Sequence, residues 1–162
     1  MNWNPVFCWR LGGASLALLA GVAVYCFMRL NPPVLLQPFQ ITHALPQMGS
    51  GFFGSAPSFL YTLSFGLFVG IGATTLSSAR VHCLLWIALA LALEISRASA
   101  IAQPLAAWLT QVLPGTAWEL VGPYWLHGVY DPFDLLATVA GGALALPLLT
   151  LPNHGEKYES NR

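Results

Sequence analysis

The chain has 162 residues, of which 56% are hydrophobic and only 7% are charged, and its mean hydropathy is +0.65. That composition lies far outside the range of a soluble domain of this size, so a lipid bilayer is the expected solvent. The six basic and six acidic residues cancel, and no run of Lys or Arg forms a nucleic-acid surface. Nucleic acid is therefore excluded, which leaves membrane lipid and other membrane proteins as the expected partners.

The first predicted element is the apolar run Leu11–Met28, which follows Arg10. No small-residue cleavage site follows this run, and Tyr25 immediately before Cys26 argues against a lipoprotein site. The run is therefore predicted to be a retained membrane span rather than a signal peptide.

Three further runs are long and apolar enough to cross a hydrocarbon core of about 30 Å as helices. Together with the first run, they predict an all-α, integral membrane four-helix bundle. The single transmembrane domain covers residues 1–152, with spans at about 11–28, 58–76, 83–101 and 134–151, and a polar cytoplasmic tail follows at 153–162.

Basic residues near the span ends predict the orientation, because cytoplasmic loops carry an excess of Lys and Arg. Arg29 stands alone on one side of the membrane, whereas four basic residues share the other: Arg10, Arg80, Lys157 and Arg162. This bias favours both termini, and a tight turn at Ser77–His82, in the cytoplasm. The connections 29–57 and 102–133 then lie on the outer side.

The second outer connection contains a helical pattern of its own. Pro104 suits a first helical turn, and apolar residues recur at helical spacing as far as Val112, so a short interfacial helix is predicted to end at Pro114-Gly115. Aromatic residues follow in the rest of the connection: Trp118, Tyr124, Trp125, Tyr130 and Phe133. Rings of this kind settle at the level of the lipid head groups, and both a membrane anchor and a ligand-stacking surface are open interpretations.

Glu94 and Arg97 interrupt the third span, where each ion would cost roughly 2.5–3.5 kcal/mol at the helix centre. They are three residues apart and share one helix face, with Glu94 roughly 10 Å and Arg97 roughly 6 Å below the outer end of the span. An antiparallel fourth span would bring Asp134 and Thr138 to the same level. These four residues form the predicted polar intramembrane core.

Small residues predict where the helices approach one another closely: Gly66 and Gly70 in the second span, and Gly141 and Gly142 in the fourth. A structural role is also open for the charged residues. The Glu94–Arg97 pair would ease insertion of the third span, and Asp134 would cap the amino terminus of the fourth.

The outer connection supplies three further candidate residues: Glu119, His127 and Asp131. His127, Asp131 and Asp134 have the side chains of metal ligands but not a characteristic ligand spacing, so neither a metal nor another cofactor is predicted. The three cysteines also lack paired spacing and are predicted to be free thiols: Cys8, Cys26 and Cys83.

Nucleophilic catalysis finds little support in the sequence. Ser96 and Ser99 lie near Glu94, but there is neither a Gly-x-Ser-x-Gly motif nor an activating His. No catalytic residue is therefore predicted, and acid–base catalysis by carboxylates near a lipid head group stays open as an alternative without a complete catalytic set.

The third and fourth spans carry four residues whose order, spacing and depth form a pattern: Glu94, Asp134, Thr138 and Gly141. This pattern resembles the VanZ-like family of small bacterial membrane proteins, and the resemblance implies a bacterial inner-membrane protein of the cell envelope with no assigned activity. The family usually has Asn where Thr138 stands, commonly has Gln where Arg97 stands, and has an Arg shortly before the Asp, where this chain has His127. Arg97 would replace that missing Arg as the partner of the carboxylates.

The leading hypothesis is a cavity in the outer leaflet, lined by the polar core, that binds an envelope lipid or another amphiphile. One alternative is a structural subunit of a larger membrane complex, in which Glu94 and Arg97 pair with another chain. Another is a small transporter or proton-handling protein, since carboxylates within a membrane are typical of those functions.

Overall fold

A computed structural model describes residues 5–28, 38–39, 54–126, 128 and 130–151. Within these ranges the chain forms helices and no strand, which confirms the all-α prediction. The helices are α1 (Pro5–Met28), α2 (Ala56–Phe68), α3 (Leu76–Ser96), α4 (Ser99–Val112), α5 (Gly115–Leu126) and α6 (Pro132–Leu148). The predicted tail at 153–162 and most of the predicted outer connection 29–57 lie outside the described residues.

The central helix is α2, which packs against α1, α3 and α6, while α3 also packs against α6. α2 and α6 run parallel, since Gly66 lies opposite Ala145 and Gly70 lies opposite Leu149. α1 and α3 run antiparallel to this pair. The remaining helices, α4 and α5, pack against each other after the carboxyl end of α3.

The interior of this bundle consists mostly of small side chains. Ala14, Cys83 and Ala145 are completely buried, whereas Leu16, Leu85 and other leucines on the outer surface are up to 71% exposed. A soluble protein would bury its leucines first. In lipid, large apolar side chains can face the acyl chains while small residues let the helix backbones approach.

In the part of the chain that the structure describes, two helical segments are long and apolar enough to cross a membrane, Pro5–Val24 and Leu76–Ser96. α2 and α6 are also apolar but have only 13 and 17 residues. At 1.5 Å per residue, α2 is about 20 Å long, which is less than the thickness of a hydrocarbon core.

The boundary between α2 and α3 differs from the predicted one. The helix within the predicted span 58–76 ends at Phe68, and the next helix begins at Leu76, so the predicted turn at Ser77–His82 is helical instead. The reason is local: the hydroxyl oxygen of Thr75 accepts a hydrogen bond from the backbone N–H of Ser78 at 3.1 Å and caps α3. A side-chain cap of this kind fixes the start of a helix.

The carboxyl end of the predicted third span also differs. α3 ends at Ser96, with Arg97 as its carboxyl cap, so Glu94 lies in the last turn and not roughly 10 Å from the helix end. The predicted interfacial helix is α4, which begins before Pro104, at Ser99. Gly115, which was predicted to follow a helix end, begins the additional helix α5.

Arg10 is 4% exposed and lies at the opposite end of the bundle from Arg97. Its Nη1 atom donates to the Gly70 carbonyl at 2.6 Å, and its Nη2 atom donates to the Leu149 carbonyl at 3.2 Å. Trp9 adds a third donor from α1, with its Nε1 atom 3.1 Å from the Leu148 carbonyl. Carbonyls at helix carboxyl ends lack partners and favour a cation, so α1 satisfies the ends of both α2 and α6.

The predicted packing glycines all lie where helices approach closely: Gly66, Gly70, Gly141 and Gly142. A Cβ atom added at Gly141 would meet the backbone carbonyl of Phe59 on α2, which cannot move aside as a flexible side chain can. By contrast, a Cβ atom at Gly12 on α1 would meet nothing within 4 Å.

We therefore expect Gly141→Ala to lower the free energy of unfolding by about 1–3 kcal/mol, the usual range for overpacking a close contact. Gly12→Ala is the matched control and should leave stability unchanged or slightly higher, because alanine favours a helix more than glycine does. Thermal unfolding of the purified chain in a mild detergent measures both. Equal melting temperatures for the two variants would contradict the close approach of α2 and α6.

Candidate functional site

The candidate site lies where the carboxyl end of α3 meets the amino end of α6. The Nη1 atom of Arg97 is 2.8 Å from Oε2 of Glu94 and 3.8 Å from Oδ2 of Asp134. The side chains of Arg97 and Glu94 are 17% and 16% exposed, and that of Asp134 is 7% exposed. Arg97 therefore lies between both carboxylates, one from its own helix and one from α6.

The helix ends help to explain this arrangement. Arg97 is the carboxyl cap of α3 and Asp134 lies in the first turn of α6, so each charge has the sign that its helix end favours. The cap of α6 is Asp131, whose carboxylate accepts a hydrogen bond from the backbone N–H of Phe133 at 2.9 Å. The alternative that Asp134 is the cap is therefore wrong, and its carboxylate is directed to Arg97 instead.

Tyr124 on α5 covers the guanidinium, with the Cζ atom of Arg97 5.3 Å from the ring centroid, a cation–π distance. Burial, and then the charge of Glu94, raise the pKa of Tyr124 to about 12, although Arg97 opposes the shift. The phenol is consequently neutral at physiological pH. Gly128 also lies against the guanidinium, and its lack of a side chain leaves room there, since an added Cβ atom would lie 2.9 Å from Nε of Arg97.

A hydrogen-bonded pair fixes α5 beside this cluster. The hydroxyl of Ser96 donates to the carbonyl of Leu93 at 2.7 Å and accepts from Nε1 of Trp125 at 2.9 Å. The hydroxyl therefore both donates and accepts a hydrogen bond, and Ser96 connects the end of α3 to α5.

Beside the charged cluster is a cavity of about 280 Å³. Glu94, Arg97, Asp134 and Thr138, the four residues of the predicted polar core, all line it. The other lining residues come from α2, α3 and α5: Pro57, Ser58, Tyr61, Thr62, Ala90, Leu93 and Tyr124. The structure thus brings the four predicted residues together around one space.

The two described candidates from the outer connection, Glu119 and Asp131, do not line this cavity. Glu119 is exposed on α5, Asp131 caps α6, and His127 lies outside the described residues. Across the ranges that the structure describes, no three His, Cys, Asp or Glu side chains converge as a metal site.

Sequence reasoning missed the contributions of α2 and α5 to the cavity. In the sequence, Tyr124 is one of several aromatic residues of an interfacial type, and Tyr61 and Thr62 stand in an apolar run that gives no sign of a role. Their helical spacing carried one usable signal, because Ser58, Tyr61 and Thr62 fall on a single face of α2.

Comparisons with protein-family models, with curated proteins and with solved structures found no match to this chain.

Proposed function

We propose that the chain is a multi-pass, VanZ-like protein of the bacterial inner membrane, with both termini in the cytoplasm, whose polar cavity binds the head group of an envelope lipid or another amphiphile. The observation that carries the proposal is the cluster of Glu94, Arg97 and Asp134 on the wall of a cavity.

The apolar exterior supports the membrane setting. Leucines with exposures of 63–71% lie on three different helices: Leu16 and Leu19 on α1, Leu85 on α3 and Leu136 on α6. Such a surface would drive association or aggregation in water, whereas acyl chains solvate it. Among the described residues, α1 and α3 contain segments that are individually long enough to span the bilayer. α2 packs against both of these helices, and α6 packs against α2 and α3.

The burial of the polar cluster, in which the Asp134 side chain is 7% exposed, supports a binding role. Charged side chains in a membrane are expensive, and they are retained where a pathway or ligand uses them. The cavity volume of about 280 Å³ falls just below the roughly 300–1,000 Å³ of drug-sized ligand sites. It therefore suits the head group of an amphiphile, with the acyl chains remaining in the surrounding lipid.

The VanZ-like assignment draws support from the same residues. Glu94, Asp134 and Thr138 line one cavity, and Gly141 packs on α2 behind it. Arg97 contacts both carboxylates, which is the role expected of the Arg that the family carries before its Asp.

The proposed topology predicts that positions 50 and 160 are accessible to a labelling reagent from opposite sides of the membrane. A single cysteine at Ser50, between α1 and α2, should react from outside intact cells with a membrane-impermeant maleimide. A single cysteine at Ser160 should react only after the cells are opened. Both variants are made after replacement of Cys8, Cys26 and Cys83, and labelling of position 160 in intact cells would overturn the topology.

The binding proposal is tested by filling the cavity. Ala90 on α3 is 5% exposed and lines the cavity, so Ala90→Leu should displace the head group. Ala92→Leu, at an exposed position on the same helix, is the matched control. We expect the wild-type chain and Ala92→Leu to retain lipid through purification in mild detergent, and Ala90→Leu to lose most of it. Native mass spectrometry counts the bound molecules.

Two results of this experiment would contradict the proposal. Equal lipid retention by both alanine variants would mean that lipid binds elsewhere on the surface. A stoichiometric protein partner that is released when Glu94 or Arg97 is replaced would favour the structural-subunit alternative.

A further inference from the structure

We propose that the head group held in this cavity carries an ammonium group, an inference that rests on the proposed function and specifies its ligand. Four observations support it: the net charge of the wall, the unsatisfied oxygen of Asp134, the existing contacts of Arg97, and the aromatic rings that line the space.

The first observation is that the described residues lining the cavity include more acidic than basic side chains. Among the described residues that line the cavity, Glu94 and Asp134 supply two carboxylates, and Arg97 supplies one guanidinium. The described wall therefore holds one more carboxylate than it has cations. An anionic head group would increase this imbalance, whereas a cation would remove it, because an isolated charge away from water is strongly unfavourable.

Asp134 has one carboxylate oxygen that accepts no hydrogen bond from the described residues. Its side chain is 7% exposed, Oδ2 is 3.8 Å from Arg97, and Oδ1 accepts no hydrogen bond from the described residues. The amino-terminal capping bond of α6 goes to Asp131 instead. A buried carboxylate normally has its oxygens satisfied, so this side chain on the cavity wall favours a ligand that is positively charged or donates hydrogen bonds.

The guanidinium of Arg97 is poorly placed to bind an anionic head group, because it already has partners within the protein. Its Nη1 atom already contacts both carboxylates, and its guanidinium lies over the ring of Tyr124. The positive charge is thus used within the protein, and recognition of a phosphate would have to compete with two carboxylates.

Aromatic side chains complete the wall. Tyr61 and Tyr124 line the cavity from α2 and α5. Tyr61 is supported by Phe65, with ring centroids 4.7 Å apart, and by Trp86, with centroids 5.5 Å apart. Carboxylates combined with aromatic rings are the usual surroundings of a bound ammonium group, because the ring face attracts a cation.

The test compares head groups on identical acyl chains. The purified full-length chain in a neutral detergent is incubated with equal amounts of three dioleoyl lipids. These are phosphatidylethanolamine, phosphatidylglycerol and a trimethylammonium-propane lipid that lacks phosphate. Native mass spectrometry then measures the bound fraction of each. We expect both ammonium lipids to be retained about tenfold more than phosphatidylglycerol, because both bring a positive charge to the carboxylates, although only phosphatidylethanolamine can also donate hydrogen bonds.

Two conservative variants assign this preference to the cavity. Asp134→Asn and Glu94→Gln each remove the excess negative charge and should bring the retention ratio close to one. Glu119→Gln removes an exposed carboxylate outside the cavity and should keep the wild-type ratio. If Asp134→Asn does not fold, the lipid preference of the wild-type chain and its change in Glu94→Gln are sufficient to test the inference.

Preferential retention of phosphatidylglycerol would overturn the inference, as would an ammonium preference that survives in both cavity variants. The failure of the proposed function gives a different result. In that case the wild-type chain retains no lipid, or Ala90→Leu retains as much lipid as the wild type.

Discussion

Replacing Arg97 with leucine is expected to lower the free energy of unfolding by about 3 kcal/mol, the lower end of the range for removing one partner from a buried ion pair. The substitution leaves Glu94 and Asp134 facing each other without the cation that contacts both. The lower end of the range applies because the Arg97 and Glu94 side chains retain 17% and 16% exposure. Thermal unfolding in mild detergent provides the measurement.

A double-mutant cycle isolates the interaction within this effect. Glu94→Gln alone should cost less than Arg97→Leu, because it leaves the guanidinium with Asp134. The double variant should recover part of the loss, but only part, since Asp134 still lacks a partner. Arg80→Leu, at an exposed position on α3, is the control and should change stability little. Additive effects of the two cluster substitutions would show that Glu94 and Arg97 do not interact.

Arg10→Met is expected to lower the free energy of unfolding by roughly 3 kcal/mol or more, since a hydrogen bond to a charged group contributes about 1.5–3 kcal/mol and Arg10 makes two. Methionine replaces the apolar stem of the side chain but supplies no donor. The carbonyls of Gly70 and Leu149 would then be left without this partner at a buried position. Thermal unfolding of the purified chain again measures the effect.

Two comparisons separate this capping role from a general effect of charge. Arg80→Met removes a basic residue at the same end of the bundle, but an exposed one, and should have little effect. Arg10→Lys keeps the charge but loses the planar fork of donors, so its stability should fall between those of the wild type and Arg10→Met. A melting temperature for Arg10→Met equal to that of Arg80→Met would contradict the capping role.

Composition and spacing were enough to predict the helical class and the meeting of Glu94, Arg97 and Asp134. The prediction succeeded because a charge in an apolar run needs a partner, and antiparallel helices bring opposite ends together. The geometry at Asp134 was not predictable in the same way. Asp131 and Asp134 both suit a helix amino terminus, and only the backbone shows which of them is the cap.

Other features depend on contacts that sequence periodicity does not report. Arg10 reads as an ordinary flanking cation, and its role follows from two carbonyls that are 60 and 139 residues away in the chain. The start of α3 was misplaced because hydropathy locates the apolar stretch, while the cap at Thr75 sets where the helix begins. The helix α5 was hidden by Pro123 and by aromatic residues that suit an interfacial loop equally well.

Both ends of α6 are held by an arginine of another part of the bundle. Asp134 in its first turn contacts Arg97, and the carbonyl of Leu149 after its last turn contacts Arg10. Between these anchors, Gly141 lies against the backbone of α2 and Gly142 lies against Ile87 on α3, close contacts that also oppose sliding along the axis. One inserted residue would rotate one anchor by about 100° and shift it by about 1.5 Å relative to the other. The two arginine contacts at the ends of α6 and the close contacts at its glycines therefore favour the same axial register.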